Sequence, residues 1–289
     1  MFKNKKIINN FKKKFNKDGY IIVKNFFKKK DCLKAVEWLK KQNPKKIINS
    51  WTEQEPNVPL AVYFAIHNYE TPISKLAKDI KLLDFASELI NNKVYIWSSK
   101  VNLKTAWCGT AEYYHQDMVY WKDRGYKKDD MLSAMIVLEK HSLKNAALHV
   151  LPGTHKLGFI EHSPFINING LAKFMIHPNK MSLLNKKYKV EHIEANPGDV
   201  VFFHASIVHG SSHNVSPEGR MIILSQLNSI KNLPKNVNKK SRLFNLSRAQ
   251  KEYIEAKRKL DWFKKKYYNQ LKSNKLTFSA PIVKEEVSK

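Results

Sequence analysis

Between residues 93 and 230 the chain contains seven short runs of β-branched and aromatic residues, and this pattern limits its fold more than any other feature. Each run has about the length of a strand, and turn-forming residues separate it from the next. The runs are KVYIWSSKVNLK, AEYYHQDMVYW, MLSAMIVLEK, AALHVLPG, VEHIEAN, GDVVFFHASIVHGS and GRMIILSQLN. Strands at this spacing predict a β-sandwich or a small β-barrel.

The segments on either side of these runs have the helical period instead. The first 15 residues carry an amphipathic stripe that Gly19 ends, and a short strand follows. Asp31 is a possible N-cap of the next helix, and residues 71–90 predict another helix. The 289 residues suffice for one domain with elaborations. We therefore predict a single domain over residues 1–289, with a mostly helical part (1–92), a β-barrel core (93–230) and a basic helical C-terminal extension (231–289, including a long helix over 247–272).

Cysteine content and hydropathy indicate where such a chain resides. The only two cysteines, Cys32 and Cys108, cannot form a disulfide framework, which favours a reducing compartment. No apolar run approaches the roughly 18 residues of a membrane span, and the basic N-terminus has no secretory h-region. The sequence therefore predicts a cytoplasmic protein without a transmembrane segment.

The net charge of +27 raises the question of nucleic-acid binding, but the charge lies at the two ends. Residues 1–50 hold 16 Lys against 3 acidic residues, and residues 231–289 hold 17 basic against 5 acidic residues. The centre has 19 basic and 17 acidic residues, and only 5 of all 52 basic residues are Arg, the residue that phosphate and base recognition favours. Solvated lysine-rich helix faces explain this pattern, so no specific nucleic-acid partner is predicted. A polyanion-binding or membrane-surface patch stays a second interpretation, and the oligomeric state is open.

A histidine and an aspartate lie two residues apart in YYHQDMVYW, inside an otherwise apolar and aromatic run. If the segment is a strand, His115 and Asp117 project to the same face, with Gln116 on the other. Buried ionisable groups need a partner, and either a divalent metal or an ordinary hydrogen-bonded pair would satisfy them. The pair His192 and Glu194 offers the same spacing, so the pattern alone is weak.

A later segment, PGDVVFFHASIVHGSSHNVSPEGRMII, supplies a possible third ligand and a rare arginine. His209 near the end of its strand would complete a set of two histidines and one carboxylate, which favours non-haem Fe(II) with open positions. Arg220 begins the next apolar strand, where a guanidinium needs a carboxylate partner. A dicarboxylate co-substrate would provide that partner; a surface salt bridge is the other interpretation.

These motifs resemble the phytanoyl-CoA dioxygenase-like family of Fe(II)/2-oxoglutarate oxygenases, which includes ectoine hydroxylase. The resemblance runs from FNKDGYIIVKNFF to GRMIILSQLN, and NAALHVLPGTHKLG is similar to a family segment in which glycine replaces Ala146. It implies a mainly β fold with flanking helices, built on a double-stranded β-helix (jelly-roll or cupin-like) barrel. Fe(II), 2-oxoglutarate and O2 would be the cofactor and co-substrates.

The resemblance also implies roles for individual residues. The metal ligands would be His115, Asp117 and His209, while Arg220, Ser211 and Asn102 would bind 2-oxoglutarate. Trp121 falls where an aromatic lines the substrate pocket, and core packing is its other interpretation. His155 lies in a segment similar to the active-site rim, although capping a loop would equally explain it. The sequence predicts structural or surface positions for the remaining histidines of this region: His149, His204 and His213.

The activity implied is hydroxylation of an unactivated C–H bond of a small-molecule metabolite, with decarboxylation of 2-oxoglutarate to succinate and CO2. Related halogenases lack the carboxylate ligand, so the presence of Asp117 favours hydroxylation. The alternative is a non-catalytic or differently metallated barrel that binds a small or anionic ligand. The sequence leaves the substrate open among CoA thioesters, amino-acid derivatives, lipids and sugars.

Overall fold

The computed structural model describes residues 5–42, 62–107, 109–121, 126, 130–166 and 172–232. These residues form five α-helices and twelve β-strands. The helices are α1 (Lys5–Asp18), α2 (Lys29–Lys40), α3 (Pro72–Ala77), α4 (Ile80–Ile90) and α5 (Pro178–Lys187). The strands are β1 (Tyr20–Val23), β2 (Val62–Phe64), β3 (Val94–Lys104), β4 (Glu112–His115), β5 (Met131–Val137), β6 (Leu148–Leu151), β7 (His162–Ile166), β8 (Ala172–Ile176), β9 (Glu191–His192), β10 (Val200–His204), β11 (Val208–Ser211) and β12 (Arg220–Ser229). The predicted helix over 247–272 and Cys108 lie outside the described residues.

Two antiparallel sheets build the barrel. The larger has the strand order β1-β10-β5-β12-β3-β2 and the smaller the order β4-β11-β6-β9. Strands far apart in the sequence are thus neighbours in each sheet, as in a double-stranded β-helix. The predicted fold class, a mainly β jelly roll with flanking helices, is confirmed. The edge strands β1 and β2 come from residues 1–92, the part predicted to be mostly helical.

Each face of the larger sheet has its own apolar core. On β10, Phe202 faces the helices, where its ring centroid lies 5.0 Å from that of Phe85 on α4. The next residue, Phe203, points the other way and packs between the sheets with Met135 and Val150. All residues of β5 are buried, because helices cover one face of this central strand and the second sheet covers the other. Side-chain alternation therefore separates a structural outer core from an interior that holds polar groups.

The N-terminal helices end and begin largely where local signals place them. The prediction that Gly19 ends the first helix is confirmed, since it has φ +81° and its N–H donates to Phe15 O at 2.8 Å. A side chain there would meet the ring of His155, so glycine also provides space. Asp31 is not an N-cap: α2 begins at Lys29, and the aspartate lies in its first turn.

The single helix predicted over residues 71–90 is wrong, because the structure has two helices there. Thr71 caps α3 by accepting from Ser74 N, but α3 ends at Ala77. Asp79 is extended, and its carboxylate accepts from Lys81 N at 2.8 Å, which caps a new helix. No helix among the described residues is long and apolar enough to cross a membrane.

Candidate metal centre and co-substrate site

Three residues from the smaller sheet and its adjoining turn converge inside the barrel. His115 ends β4 and is the direct register partner of His209 on β11, so the two imidazoles lie on neighbouring strands. The sequence pattern predicted that the strand continues through Asp117. In the structure, Asp117 instead begins a short 3-10 helix (Asp117–Tyr120). The extended backbone of Gln116, with φ −111° and ψ 130°, still turns Asp117 towards the two histidines.

The ligating atoms of this triad are close together and buried. Asp117 Oδ1 lies 3.7 Å from His115 Nε2 and 3.6 Å from His209 Nε2. All three side chains are buried, and their ligating atoms lie within 4.8 Å of one another. Within the part of the chain that the structure describes, this is the one group of three or more such residues that could hold a metal ion.

Hydrogen bonds fix which nitrogen of each imidazole is available. His115 Nδ1 lies 2.8 Å from Tyr113 O, and His209 Nδ1 lies 3.0 Å from Ile207 O. A carbonyl oxygen can only accept, so Nδ1 of each ring carries a proton and Nε2 is the nitrogen that faces the centre. Burial lowers the pKa of His209 to about 4, so this ring is neutral at neutral pH.

Asp117 is held as a carboxylate. Its Oδ2 accepts from Ser133 Oγ at 2.9 Å, which leaves Oδ1 facing the histidines. Burial alone would raise the pKa of Asp117, but its contacts with His115 and His209 outweigh burial and hold the pKa well below the ordinary value. Ser133 on β5 belongs to the larger sheet, so both sheets position this ligand.

The donor set fits a divalent metal. Two imidazole Nε2 atoms and a carboxylate oxygen face one another at distances too long for hydrogen bonds, and a cation between them would contact all three. Two histidines and one carboxylate are the set that non-haem Fe(II) oxygenases use.

The side chain of Gln116, between the two first ligands, anchors the segment from the opposite side. Its amide nitrogen donates to Gly158 O at 2.8 Å and to Ser206 O at 2.7 Å, and its amide oxygen accepts from Ile160 N at 2.8 Å. The side chain is fully buried and all these bonds are internal. Gln116 therefore ties the ligand segment to the loops that flank β7 and β11.

Replacing Gln116 by leucine is expected to lower the free energy of unfolding by about 2 kcal/mol, because three buried backbone groups lose their partner. Urea denaturation followed by circular dichroism measures the change. Gln42→Leu is the matched control, since Gln42 donates a single bond, to Trp38 O, and its side chain is only partly buried. Equal stability losses in the two variants would contradict this account of Gln116.

Arg220 is buried at the start of β12 and is held by a turn. Its Nε lies 3.2 Å from Asn145 O and 3.1 Å from Ala146 O, and its Nη2 donates to Ala146 O at 2.8 Å. Ala146 has φ +62°, a left-handed conformation that costs alanine about 1 kcal/mol and that glycine adopts without this cost. Burial lowers the pKa of Arg220 to about 10, so it remains charged.

The guanidinium is available for an anion. Two of its five N–H groups make the bonds to the turn, which leaves three. No carboxylate lies within ion-pair distance of Arg220 among the residues that the structure describes, so the surface salt bridge considered above is not present there.

The other predicted co-substrate residues line the same interior. Ser211 on β11 is buried, and its hydroxyl accepts from Lys104 Nζ at 2.7 Å. Asn102 lies two residues before Lys104 on β3, and its Oδ1 is buried without a hydrogen-bond partner among the described residues. An amide oxygen only accepts, so this atom fits a hydrogen-bond donor, and the amide nitrogen of Asn102 is the group that would donate to a carboxylate.

Trp121 and His155 lie in packed surroundings. Trp121 is buried against Trp97, with ring centroids 5.0 Å apart, in a cluster with Met118 and Tyr126. His155 lies against α1: its Nε2 is 3.2 Å from Asn16 O, and its ring centroid is 5.1 Å from that of His204. These contacts favour the packing and loop-capping interpretations of the two residues. The pair His192 and Glu194, which has the same spacing as His115 and Asp117, lies away from the triad. His192 is exposed and is the register partner of His149.

Sequence reasoning missed a set of polar residues around the triad. Lys173 on β8 makes a 2.5 Å ion pair with Glu112 on β4 and is buried. Burial would raise the pKa of Glu112, but Lys173 outweighs it and lowers the pKa to about 2. Ring contacts of Phe165 with Tyr113 and of Phe174 with Tyr120 hold the β7–β8 hairpin against the same segment. The hairpin is an isolated two-stranded sheet, and nothing in its sequence indicates this partner.

Comparison with known proteins gives a consistent picture. Residues 15–222 match the model of the phytanoyl-CoA dioxygenase (PhyH) family. The chain is 24% identical to L-proline trans-4-hydroxylase of Streptomyces griseoviridis over 238 residues, which is 77% of this chain and 87% of the relative. It is 27% identical to ectoine dioxygenase of Sphingopyxis alaskensis over 232 residues, covering 75% of this chain and 74% of that protein.

A solved structure agrees. The crystal structure of EctD from S. alaskensis with 2-oxoglutarate and 5-hydroxyectoine superimposes with a TM-score of 0.64 at 25% identity, covering 81% of this chain and 82% of that one. The family match spans most of the chain and includes the segments that carry the triad and Arg220. The chain therefore belongs to the phytanoyl-CoA dioxygenase family of non-haem Fe(II)/2-oxoglutarate-dependent dioxygenases.

Proposed function

We propose that this protein hydroxylates an unactivated C–H bond of a small-molecule metabolite and converts 2-oxoglutarate to succinate and CO2. The observation that carries the proposal is the convergence of two imidazole Nε2 atoms and one carboxylate oxygen inside the barrel. The family match supports the same reaction class.

In this proposal His115, Asp117 and His209 hold Fe(II). Bound Fe(II) together with 2-oxoglutarate supplies the oxidising chemistry with O2. The contribution of the chain is geometry, since the carbonyls of Tyr113 and Ile207 orient the two rings and Ser133 orients the carboxylate. With only three protein ligands, positions stay open for the co-substrates.

Arg220, Ser211 and Asn102 would bind 2-oxoglutarate. The unused N–H groups of Arg220 match the two oxygens of a carboxylate, and burial makes such a bidentate pair strong. The single carboxylate ligand, Asp117, supports hydroxylation rather than halogenation, as the resemblance implies.

The substrate would bind on the side of the triad that Tyr120 and the β7–β8 hairpin cover. The ring of Tyr120 meets that of His115 edge to face at 6.1 Å, and the ion pair between Glu112 and Lys173 lies at the same wall. These groups would shield the reacting atoms from bulk water. Both curated relatives are named for small metabolites, L-proline and ectoine, so amino-acid derivatives come first in a substrate search.

Substrate-dependent succinate formation tests the proposal. The purified protein is loaded with Fe(II) and screened with candidate metabolites in air, and succinate is measured against 2-oxoglutarate consumed and product formed. We expect a substrate that raises 2-oxoglutarate turnover and is hydroxylated with a stoichiometry of one to one. A protein that binds Fe(II) and 2-oxoglutarate but forms no succinate with or without any candidate would support the non-catalytic alternative instead.

We also propose that residues 1–289 form one oxygenase domain. Strand β1 pairs with β10 and α4 packs on the larger sheet, which ties the N-terminal part to the barrel. Limited proteolysis tests the proposal: one fragment that includes both parts is expected, and separate stable halves would contradict it.

A further inference from the structure

The last residue of strand β3 is a buried lysine, Lys104, to which none of the sequence motifs described above assigns a role. Lys104 is the direct register partner of Arg220 on β12, and paired residues of an antiparallel ladder place their side chains on the same face. Lys104 is only 7% exposed. Its Nζ donates to Ser211 Oγ at 2.7 Å and to Ser212 O at 2.6 Å. Lys104 therefore links the larger sheet to the smaller one beside Arg220.

The surroundings are built around this side chain. A Cβ added to Gly109 would lie 2.4 Å from Lys104 Cγ, so glycine leaves room for the lysine stem. Lys104 and Arg220 place two buried cations side by side, and an anion bound to Arg220 would be stabilised by both of them. The positive charges of Arg220 and Lys104 also act on His141. Burial and these two cations hold the pKa of His141 well below its ordinary value.

The chemistry of the groups fixes the direction of the bonds. An ammonium group has donors and no acceptor, so Ser211 Oγ must accept from Lys104. The hydroxyl hydrogen of Ser211 then points away from Lys104 and is available to another acceptor. The remaining N–H groups of Arg220 are donors as well. The site thus offers donors to one ligand, which fits a carboxylate.

We propose that Lys104 is a positioning residue of the co-substrate site, which fixes the Ser211 hydroxyl as a donor to the distal carboxylate of 2-oxoglutarate and adds a second positive charge there. The inference rests on the proposed function, because it takes 2-oxoglutarate as the ligand of Arg220. It explains why a buried lysine, a serine and an arginine from three strands meet at one place. It also makes Lys104 a determinant of co-substrate specificity.

Equilibrium binding separates this role from a structural one. Calorimetry on the Fe(II)-loaded protein without O2 compares 2-oxoglutarate with 2-oxopentanoate, which has a methyl group in place of the distal carboxylate. Lys104→Met is expected to lower the affinity for 2-oxoglutarate about ten- to hundred-fold, because a charge-assisted hydrogen bond is lost. The affinity for 2-oxopentanoate should stay within about twofold of the wild-type value. In turnover assays the KM for 2-oxoglutarate should rise by the same factor while kcat at saturation is unchanged. If Lys104→Met does not fold, Lys104→Gln replaces it in the test. This variant keeps hydrogen-bond donors but loses the charge, so its affinity for 2-oxoglutarate is expected to fall about tenfold.

Two further variants complete the test. Lys93→Met removes an exposed lysine one residue before the same strand and should leave 2-oxoglutarate affinity within about twofold. If Lys104 acts through Ser211, the double variant Lys104→Met/Ser211→Ala should lose no more affinity than the weaker-binding single variant. Glutarate, which lacks the keto group, gives a readout without metal: it should raise the melting temperature of the metal-free wild type more than that of Lys104→Met.

The outcomes distinguish the two proposals. If the wild type binds neither 2-oxoglutarate nor glutarate, the proposed function fails, and this inference fails with it. Wild-type binding with an unchanged affinity in Lys104→Met overturns the inference alone. An equal loss for 2-oxopentanoate, an equal loss in Lys93→Met, or additive losses in the double variant would also overturn it.

Discussion

Replacing His209 by alanine is expected to abolish substrate-dependent succinate formation and the binding of Fe(II). The imidazole of His209 is one of only two nitrogen donors of the triad, and Asp117 and His115 alone leave a site with two ligands. Because burial already keeps His209 neutral, its loss removes a ligand without removing a charge from the interior. Succinate is measured by chromatography, and bound iron by metal analysis after gel filtration.

His192→Ala is the matched control for this prediction. His192 lies on β9 of the same sheet, but it is exposed and pairs with His149 rather than with the triad. We expect wild-type iron content and turnover in this variant. Wild-type turnover in His209→Ala with a far-ultraviolet circular dichroism spectrum like that of the wild type would rule out His209 as a ligand.

The three residues of the triad could be predicted from sequence because their signals are local. His115 and Asp117 are two residues apart, and His209 is in a short motif with its own turn and strand. Gly210 in that motif has a physical reason too, since a Cβ there would lie 2.7 Å from Glu112 O and 3.0 Å from His149 Nε2. A motif of this kind constrains the backbone as well as the chemistry.

The contacts of Lys104 and Lys173 could not be predicted in the same way. Strand periodicity indicates that Lys104 shares a face with Asn102, but its contact with Ser211 depends on the register of β3 with β12 and on the spacing of two sheets. The ion pair of Lys173 with Glu112 joins residues 61 positions apart, through a hairpin that packs on β4. Register and packing between sheets arise from the whole core, which no short window of sequence contains.

The helical errors have a simpler origin. The apolar period continues through residues 71–90, so periodicity alone predicts one helix. Asp79 interrupts it because its side chain bonds the backbone locally, which offers the chain an alternative to continuing the helix. The three-residue strand β2 is too short to show a period, and it pairs with β3 at the edge of the larger sheet.

Replacing Arg220 by methionine is expected to raise the KM for 2-oxoglutarate by about 100-fold or more, because the proposed bidentate ion pair with the distal carboxylate is lost. The apolar stem is kept, so the packing of β12 changes little. Stability should change less than affinity: Ala146 O loses its donor, but a desolvated charge is also removed. Steady-state kinetics with varied 2-oxoglutarate and thermal unfolding without ligand measure the two effects.

Two comparisons make the Arg220 prediction specific. Arg220→Lys keeps the charge but cannot hold both the turn and a carboxylate, so we expect a KM between those of the wild type and Arg220→Met. Lys144→Met removes an exposed cation from the turn that binds Arg220 and should leave the KM within about twofold. An unchanged KM in Arg220→Met would show that the distal carboxylate binds elsewhere. An equal rise of the KM in Lys144→Met would mean that the overall positive charge of the protein, rather than a direct contact, causes the effect. Only a direct contact with the carboxylate would make the buried guanidinium matter more than a surface lysine.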